Sequence, residues 1–191
     1  MVLIKRGQED QLKLNPRVFI DILEDEDKLG RIVIELYLNK VSIVAEDIRC
    51  LFTGERGIGK QSGTTLNLKN SSISQIIKGM GIKIEINEEI IQLSEEEMIQ
   101  RGYFQQLHDT PGLLSFSPKE ASSINKSYLT LTLRPTPHLD NRNIVVGKIV
   151  FGMEILNKIE SIKVNSKEEP LSHLFIQHCG ELKLCLPDKC P

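Results

Sequence analysis

The sequence has no tryptophan, and aromatic residues make up only 5% of its 191 positions. It also lacks a dominant charge, because 24 basic residues stand against 26 acidic ones and leave a net charge of −2. Proteins that bind nucleic acid usually present a strongly basic face, so this balance argues against nucleic acid as a partner. No signal-peptide core and no apolar run long enough to cross a bilayer are present. We therefore expect a soluble, intracellular protein with no membrane contact.

No stretch of the sequence has the spacing of a metal or cofactor site. The four cysteines are unevenly spread, at Cys50, Cys179, Cys185 and Cys190. The last two fit no common zinc pattern and have no accompanying histidine pair. Residues 55–65 are rich in glycine but lack the Gly-Lys-Ser/Thr ending of a phosphate-binding loop, so they are predicted to form a connection. We expect free thiols, no metal and no cofactor.

Period-two apolar patterns predict a mainly β protein. Residues 17–24 and 31–38 are β-branched stretches separated by an acidic turn, which predicts an antiparallel hairpin. Further strands are predicted at 82–86, 113–116, 128–133, 144–150 and 174–182. Apolar residues at helical spacing predict helices at 41–52 and 152–164. Many short strands with two helices indicate a β-barrel or sandwich with helical caps.

The chain length fits one domain, which we place at residues 15–182. Residues 1–14 are polar and are predicted to be an N-terminal extension, and residues 183–191 a C-terminal tail. Within the domain, residues 87–106 are rich in glutamate but have no second type of metal ligand and no calcium-loop spacing. We interpret this segment as a solvated acidic face. It and the tail are candidate docking surfaces on composition alone.

The stretch from Ile73 to Ile86 is central to the functional interpretation. It has the pattern of two short apolar strands hinged at Gly79 and Gly81. We interpret it as one wall of a ligand groove whose chemistry has been altered.

The order of the predicted elements and several sequence words resemble the cyclophilins. The words are NPRVFIDI at 15–22, GRIVIELY at 30–37, GLLS at 112–115, VVGK at 145–148 and CGEL at 179–182. The resemblance implies an eight-stranded antiparallel β-barrel closed by two α-helices. The inserted loop at 57–63 and the run PTPHLD at 135–140 are more similar to the large, multidomain nuclear cyclophilins than to the small cytosolic ones. A nuclear location is therefore slightly favoured over a cytoplasmic one.

Cyclophilins are prolyl cis–trans isomerases, so the resemblance implies that chemistry. The barrier to rotation about a peptide bond is about 18–20 kcal/mol, and no covalent bond to the substrate is needed to lower it. The family uses an apolar pocket for the proline ring and an arginine that donates hydrogen bonds to the twisting amide. Rotation moves electron density onto the amide nitrogen, where a fixed cation can stabilise it.

The position of that arginine is occupied by Gln75 in this sequence. A glutamine can donate neutral hydrogen bonds but carries no charge. Loss of a single preorganised electrostatic donor typically lowers a rate by about a hundred- to a thousandfold. No catalytic residue is therefore intact, and Gln75 marks a vestigial position.

Other groove positions also depart from the family pattern. Lys83 stands where a glutamine binds the substrate backbone, and Thr130 replaces an aromatic wall of the proline pocket. Asn143 replaces the histidine that ends the groove, while His138 replaces a tryptophan in a swap also found in the large nuclear cyclophilins. The complete set of predicted groove residues is Gln75, Met80, Lys83, Ser117, Tyr128, Leu129, Thr130, His138, Leu139 and Asn143.

Three functions are compatible with these features. The favoured one is a non-catalytic interaction module that binds a protein or peptide, proline-containing ones included. Its core strands are well formed while its groove positions are altered together, whereas drift would damage both. The alternatives are a weak but genuine isomerase and an unrelated β-rich binding domain with chance matches. Because cyclosporin-type macrocycles need the apolar pocket and the groove donors, we expect their binding to be weak or absent.

Overall fold

The computed structural model describes residues 15–118 and 127–183 of the chain. Eight antiparallel strands form one sheet in the order β3-β4-β6-β5-β7-β2-β1-β8. The strands are β1 (Arg17–Glu24), β2 (Asp27–Leu36), β3 (Ile73–Ile77), β4 (Gly81–Ile86), β5 (Leu113–Ser117), β6 (Ser127–Thr132), β7 (Ile144–Phe151) and β8 (Leu174–Leu182). An isolated bridge between Ser72 and Phe175 joins the two edges of the curled sheet. The predicted mainly β, barrel-like fold is confirmed.

Strand alternation explains why this sequence forms a closed core. Val18, Ile20 and Ile22 of β1 are fully buried, and the first two pair with Ile34 and Ile32 of β2, whose side chains are also fully buried. Residues at alternate positions of a strand point to one face, so each strand contributes its apolar set to the inside. Burial of one such side chain is worth roughly 1.5–3 kcal/mol, and the other strands contribute in the same way.

Two helices pack against the barrel at the predicted places. Helix α1 (Ser42–Thr53) packs against β1 and β8, and it ends at Gly54, whose φ of 74° allows its N–H to donate to the Cys50 carbonyl. The last helix, α3 (Met153–Glu160), packs against β2, β3 and β4 and buries Leu156 and Ile159.

In addition to the two predicted helices, a short third helix, α2 (Glu95–Gln100), lies within the acidic segment. Ser94 accepts a hydrogen bond from the Glu97 N–H, and the Glu97 carboxylate accepts one from the Ser94 N–H. This reciprocal capping box satisfies two free backbone donors. The glutamates of the first turn interact favourably with the positive end of the helix dipole. Met98 is buried and fixes the helix to the barrel.

Glycine is required at two positions of the β3–β4 hairpin for different reasons. Gly79 has a φ of 77°, in the left-handed region that side chains disfavour, but a Cβ atom there would meet nothing within 4 Å. Gly81 has no such φ, yet a Cβ atom there would overlap the carbonyl oxygen of Leu131 on the neighbouring strand. The predicted hinge therefore consists of one left-handed turn residue and one close backbone contact.

A bidentate ion pair braces the first hairpin. The Arg31 Nε and Nη2 atoms donate to the two carboxylate oxygens of Asp21 at 2.7 and 2.8 Å, and the Arg31 guanidinium lies 4.0 Å from the centre of the Phe19 ring. Asp21 is 4% exposed. The hydrogen bonds from Arg31 hold the pKa of Asp21 below its usual range.

The predicted N-terminal extension, residues 1–14, and residues 184–191 of the predicted tail lie outside the described residues.

Cys50 and Cys179 are free thiols, as predicted, and burial raises the pKa of both. The other two cysteines lie in the tail. In the described part of the chain, no helix is long and apolar enough to cross a membrane.

Substitution of the two hairpin glycines by alanine should have unequal effects. Gly79→Ala is expected to cost about 1 kcal/mol of unfolding free energy, because only a backbone preference is lost. Gly81→Ala is expected to cost about 2–4 kcal/mol, because a backbone oxygen must move. Urea unfolding of the two variants measures both values. Equal losses would contradict the close approach of Gly81 to Leu131.

The Asp21–Arg31 pair should make stability depend on acid. Because the pKa of Asp21 is depressed in the folded state, its contribution is present above the unfolded-state pKa of about 3.9 and is lost as pH falls below it. Asp21→Asn is expected to cost about 1 kcal/mol at pH 7, since Arg31 is partly exposed, and much less near pH 3. Urea unfolding at both pH values tests this, with the exposed Asp27→Asn as control. A loss that is independent of pH would contradict it.

Candidate functional site

Four polar residues form one cross-strand row on the face of the sheet opposite the core. Gln75 on β3 pairs with Lys83 on β4, and Lys83 pairs with Thr130 on β6. Thr130 in turn pairs with Ser115 on β5. Side chains of directly paired residues project from the same face of an antiparallel sheet. The register therefore brings three of the predicted groove residues together and adds Ser115, which the sequence did not single out.

A second row lies beside the first. Tyr128 pairs with Glu85 on one side and with Ser117 on the other. The Lys83 ammonium lies 5.4 Å from the centre of the Tyr128 ring, within the range of a cation–π contact. Leu129 stands between these rows in sequence but projects to the other face, where it is fully buried in the core. Leu129 is therefore a core residue, and its predicted place in the groove is wrong.

Gln75 is held by the loop that precedes β8. Its Nε2 atom donates to the Lys167 carbonyl at 3.2 Å, and the N–H of the adjacent Ile76 donates to the Glu168 carbonyl at 2.8 Å. The side chain is half-buried. One of its amide hydrogens is thus engaged within the chain, and Gln75 offers a neutral amide to anything that occupies the row.

The remaining predicted residues lie on two turns. Met80 is half-buried at the end of the β3–β4 turn, where its carbonyl accepts from the Leu133 N–H at 2.7 Å. His138 is exposed and Leu139 half-buried in a 3-10 turn, Pro137–Leu139. Asn143 is 6% exposed, and its N–H donates to the Leu139 carbonyl at 2.9 Å. We call residues 136–143 the wall turn.

Hydrogen bonds connect Ser115 of the first row to His108 and Asp140, a contact that the sequence patterns did not indicate. His108 Nε2 lies 2.9 Å from Ser115 Oγ, and His108 Nδ1 lies 2.9 Å from Asp140 Oδ1. The His108 backbone and side chain hold the pKa of Asp140 below its usual range. Ser115 and Asp140 lie 7 and 32 positions after His108 in the sequence, and no motif links the three residues. Only the strand order could have predicted their contact.

The residue types and distances of Ser115, His108 and Asp140 are those of a nucleophile, a base and an orienting carboxylate. Ser115 and His108 are both 0% exposed, however, so a substrate carbonyl has no access to the Ser115 hydroxyl. The arrangement is therefore a structural connection between β5 and the wall turn rather than a hydrolytic site.

A polar cavity of about 710 Å³ lies at the far end of β4, lined by serines and by Glu85, Asn87 and Glu89. The Glu89 carboxylate accepts the backbone N–H groups of Gln61 and Ser62, which hold the pKa of Glu89 below its usual range. These bonds fix the 55–65 connection against the segment after β4. Across residues 15–118 and 127–183, no three side chains of metal-binding type are grouped.

Comparison with known proteins agrees with this geometry. The model of a family described as cyclophilin type peptidyl-prolyl cis-trans isomerase/CLD matches residues 19–181. The chain belongs to the cyclophilin family. Peptidyl-prolyl cis-trans isomerase cyp11 from Rhizopus delemar is 38% identical over 178 residues, which cover 91% of this chain and 52% of that protein. This cyclophilin chain thus spans about half the length of the curated relative it matches.

Family membership confirms the predicted resemblance and excludes an unrelated β-rich domain with chance matches. The register has placed Gln75, Lys83 and Thr130 side by side. Apart from Leu129, the predicted groove residues lie on the two polar rows, the β3–β4 turn and the wall turn.

Proposed function

We propose that this cyclophilin domain is a protein-interaction module whose peptidyl-prolyl isomerase activity is lost or strongly reduced. Its partner would be a protein or peptide, proline-containing ones included, bound at the groove. The domain would thus use the barrel as a scaffold in the manner of a pseudoenzyme. A nuclear location remains part of this proposal, with the cytoplasm as the alternative.

The single observation that supports the proposal most is the chemistry at position 75. The side chain there shares a row with Lys83 and Thr130 but carries no charge, and its amide already donates to the Lys167 carbonyl. A neutral, engaged amide supplies much less stabilisation to a twisted peptide nitrogen than a fixed cation would.

The floor of the groove gives independent support. Thr130 is 1% exposed, and its hydroxyl has no hydrogen-bond partner among residues 15–118 and 127–183. At 1% exposure, Thr130 offers almost no surface on which a proline ring could pack, and its unsatisfied hydroxyl adds no apolar contact. Replacement of an aromatic side chain by threonine also removes roughly 1.5–3 kcal/mol of apolar contact. Weaker substrate binding would therefore accompany weaker chemistry.

A weak but genuine isomerase is the second candidate. Its support is the family match and the name of the relative from Rhizopus delemar. Gln75 retains a second amide hydrogen, and loss of one electrostatic donor typically leaves a residual rate about a hundred- to a thousandfold lower rather than none.

An isomerase assay should separate the two candidates. On a short Ala-Pro peptide, we expect the domain to be at least about a hundredfold slower than an ordinary cyclophilin. The double substitution Gln75→Arg with Asn143→His should raise the rate if the groove geometry is preserved, because it restores the cation and the terminal imidazole. NMR exchange spectroscopy on the peptide measures both rates.

The matched control for that experiment is Gln61→Arg, which adds the same charge at the exposed 55–65 connection. It should leave the rate unchanged. A wild-type rate within about tenfold of an ordinary cyclophilin would refute the interaction-module proposal. No gain in the double variant would identify the Thr130 pocket as the principal defect.

Cyclosporin should bind weakly or not at all. The macrocycle needs an apolar pocket and charged or aromatic donors, and this groove presents Gln75, Thr130 and Asn143 in their places. Isothermal titration calorimetry on the whole chain measures the dissociation constant. A submicromolar value, below about −8 kcal/mol of binding free energy, would contradict the altered groove.

A further inference from the structure

His108 is completely buried between the wall turn and the floor of the groove. Its carbonyl accepts from the Thr136 N–H at 2.8 Å, and its N–H donates to Asp140 Oδ1 at 2.8 Å. The ring contact from Nδ1 to the same carboxylate oxygen is 2.9 Å. Thr136 and Asp140 directly flank the 3-10 turn that carries His138 and Leu139. One buried residue therefore holds both ends of this turn.

The turn behaves as a unit because its own backbone is hydrogen-bonded. The Leu139 N–H donates to the Thr136 carbonyl at 2.9 Å, and the Asp140 N–H donates to the Pro137 carbonyl at 3.1 Å. The Asn143 N–H closes the segment on the Leu139 carbonyl. When the ends of such a segment are fixed, the directions of its side chains are fixed as well.

The other side of the His108 ring reaches the floor. Its Nε2 atom lies 2.9 Å from the hydroxyl of Ser115, which pairs with Thr130 in the groove row. An ionised carboxylate can only accept a hydrogen bond, so Asp140 assigns the ring proton to Nδ1. Nε2 then accepts a hydrogen bond from the Ser115 hydroxyl. The imidazole thus links the wall turn to the floor in a defined tautomer.

We propose that His108 is a positioning residue of the groove. It acts through Asp140 and Thr136 on the wall and through Ser115 on the floor, and it sets the distance between His138 or Leu139 and the row that contains Thr130. It does not touch the ligand. The proposal rests on the proposed function only in taking this face as the binding site.

Amide hydrogen exchange of the whole chain, without ligand, tests the wall contacts. His108→Phe retains a planar ring but removes both ring hydrogen bonds. We expect the amides of Thr136, Leu139 and Asn143 to exchange at least about tenfold faster, with the barrel amide of Val18 changed by less than about twofold. Equal acceleration at all four amides would indicate a general loss of stability and overturn the proposal. Unchanged wall amides would overturn it as well.

Two substitutions at Asp140 guard against a variant that fails to fold. Asp140→Asn keeps an acceptor oxygen for the His108 N–H groups and should retain wall protection within about twofold. Asp140→Ala removes the acceptor and should lose it. Loss of protection in both variants alike would show that the contact with His108 is not what holds the turn.

The nitrogen resonances of the imidazole provide a readout that general stability does not move. We expect a protonated Nδ1 and an unprotonated, hydrogen-bonded Nε2 for His108, and Ser115→Ala should shift Nε2 while it leaves Nδ1 protonated. The opposite tautomer would overturn the assignment. None of these measurements uses a ligand or an isomerase assay. A fully active wild-type protein would therefore refute the proposed function and leave the positioning role standing.

Discussion

The antiparallel register of β3, β4, β6 and β5 is the constraint on which the groove depends. It aligns Gln75, Lys83, Thr130 and Ser115 in one row although they are far apart in sequence. The same alternation sends their neighbours, such as Ile76, to the opposite face and into the core. The predicted groove residues and the core residues therefore alternate along the same strands, so the former can change while the core is preserved.

Buried polar groups hold the connections around this barrel. Asp47 of α1 is fully buried, where it pairs with Arg56 and accepts the Gln92 N–H at 2.9 Å. Burial raises the pKa of Asp47, while the hydrogen bonds from Gln92 and Arg56 oppose that rise. At the wall turn, the Asp140 carboxylate accepts the backbone N–H of His108 at 2.8 Å. In both places a carboxylate satisfies a backbone donor that would otherwise be costly to bury.

Local patterns predicted most of the fold, because apolar periodicity is read within a few residues. They located the strands, the two long helices and the hinge at Gly79 and Gly81. Helix α2 was missed because its glutamates were interpreted as a solvated face, although Ser94 and Glu97 have the spacing of a capping box.

The errors in the site have a different cause. Leu129 was grouped with Tyr128 and Thr130 as a consecutive triplet, but consecutive residues of a strand point to opposite faces. The contact of His108 with Ser115 and Asp140 depends on which strands become neighbours, and short-range patterns do not encode strand order.

The bond between Glu89 and the 55–65 connection has a consequence for protein engineering. The shape of that loop is specified in part by a carboxylate 27 or 28 positions downstream, which receives the loop's own amides. If this loop were transferred into another family member, it would keep its sequence but lose the carboxylate that accepts its amide hydrogens. The chimera would keep the conformation of the transferred loop only if it also had an acidic residue at the matching position after β4.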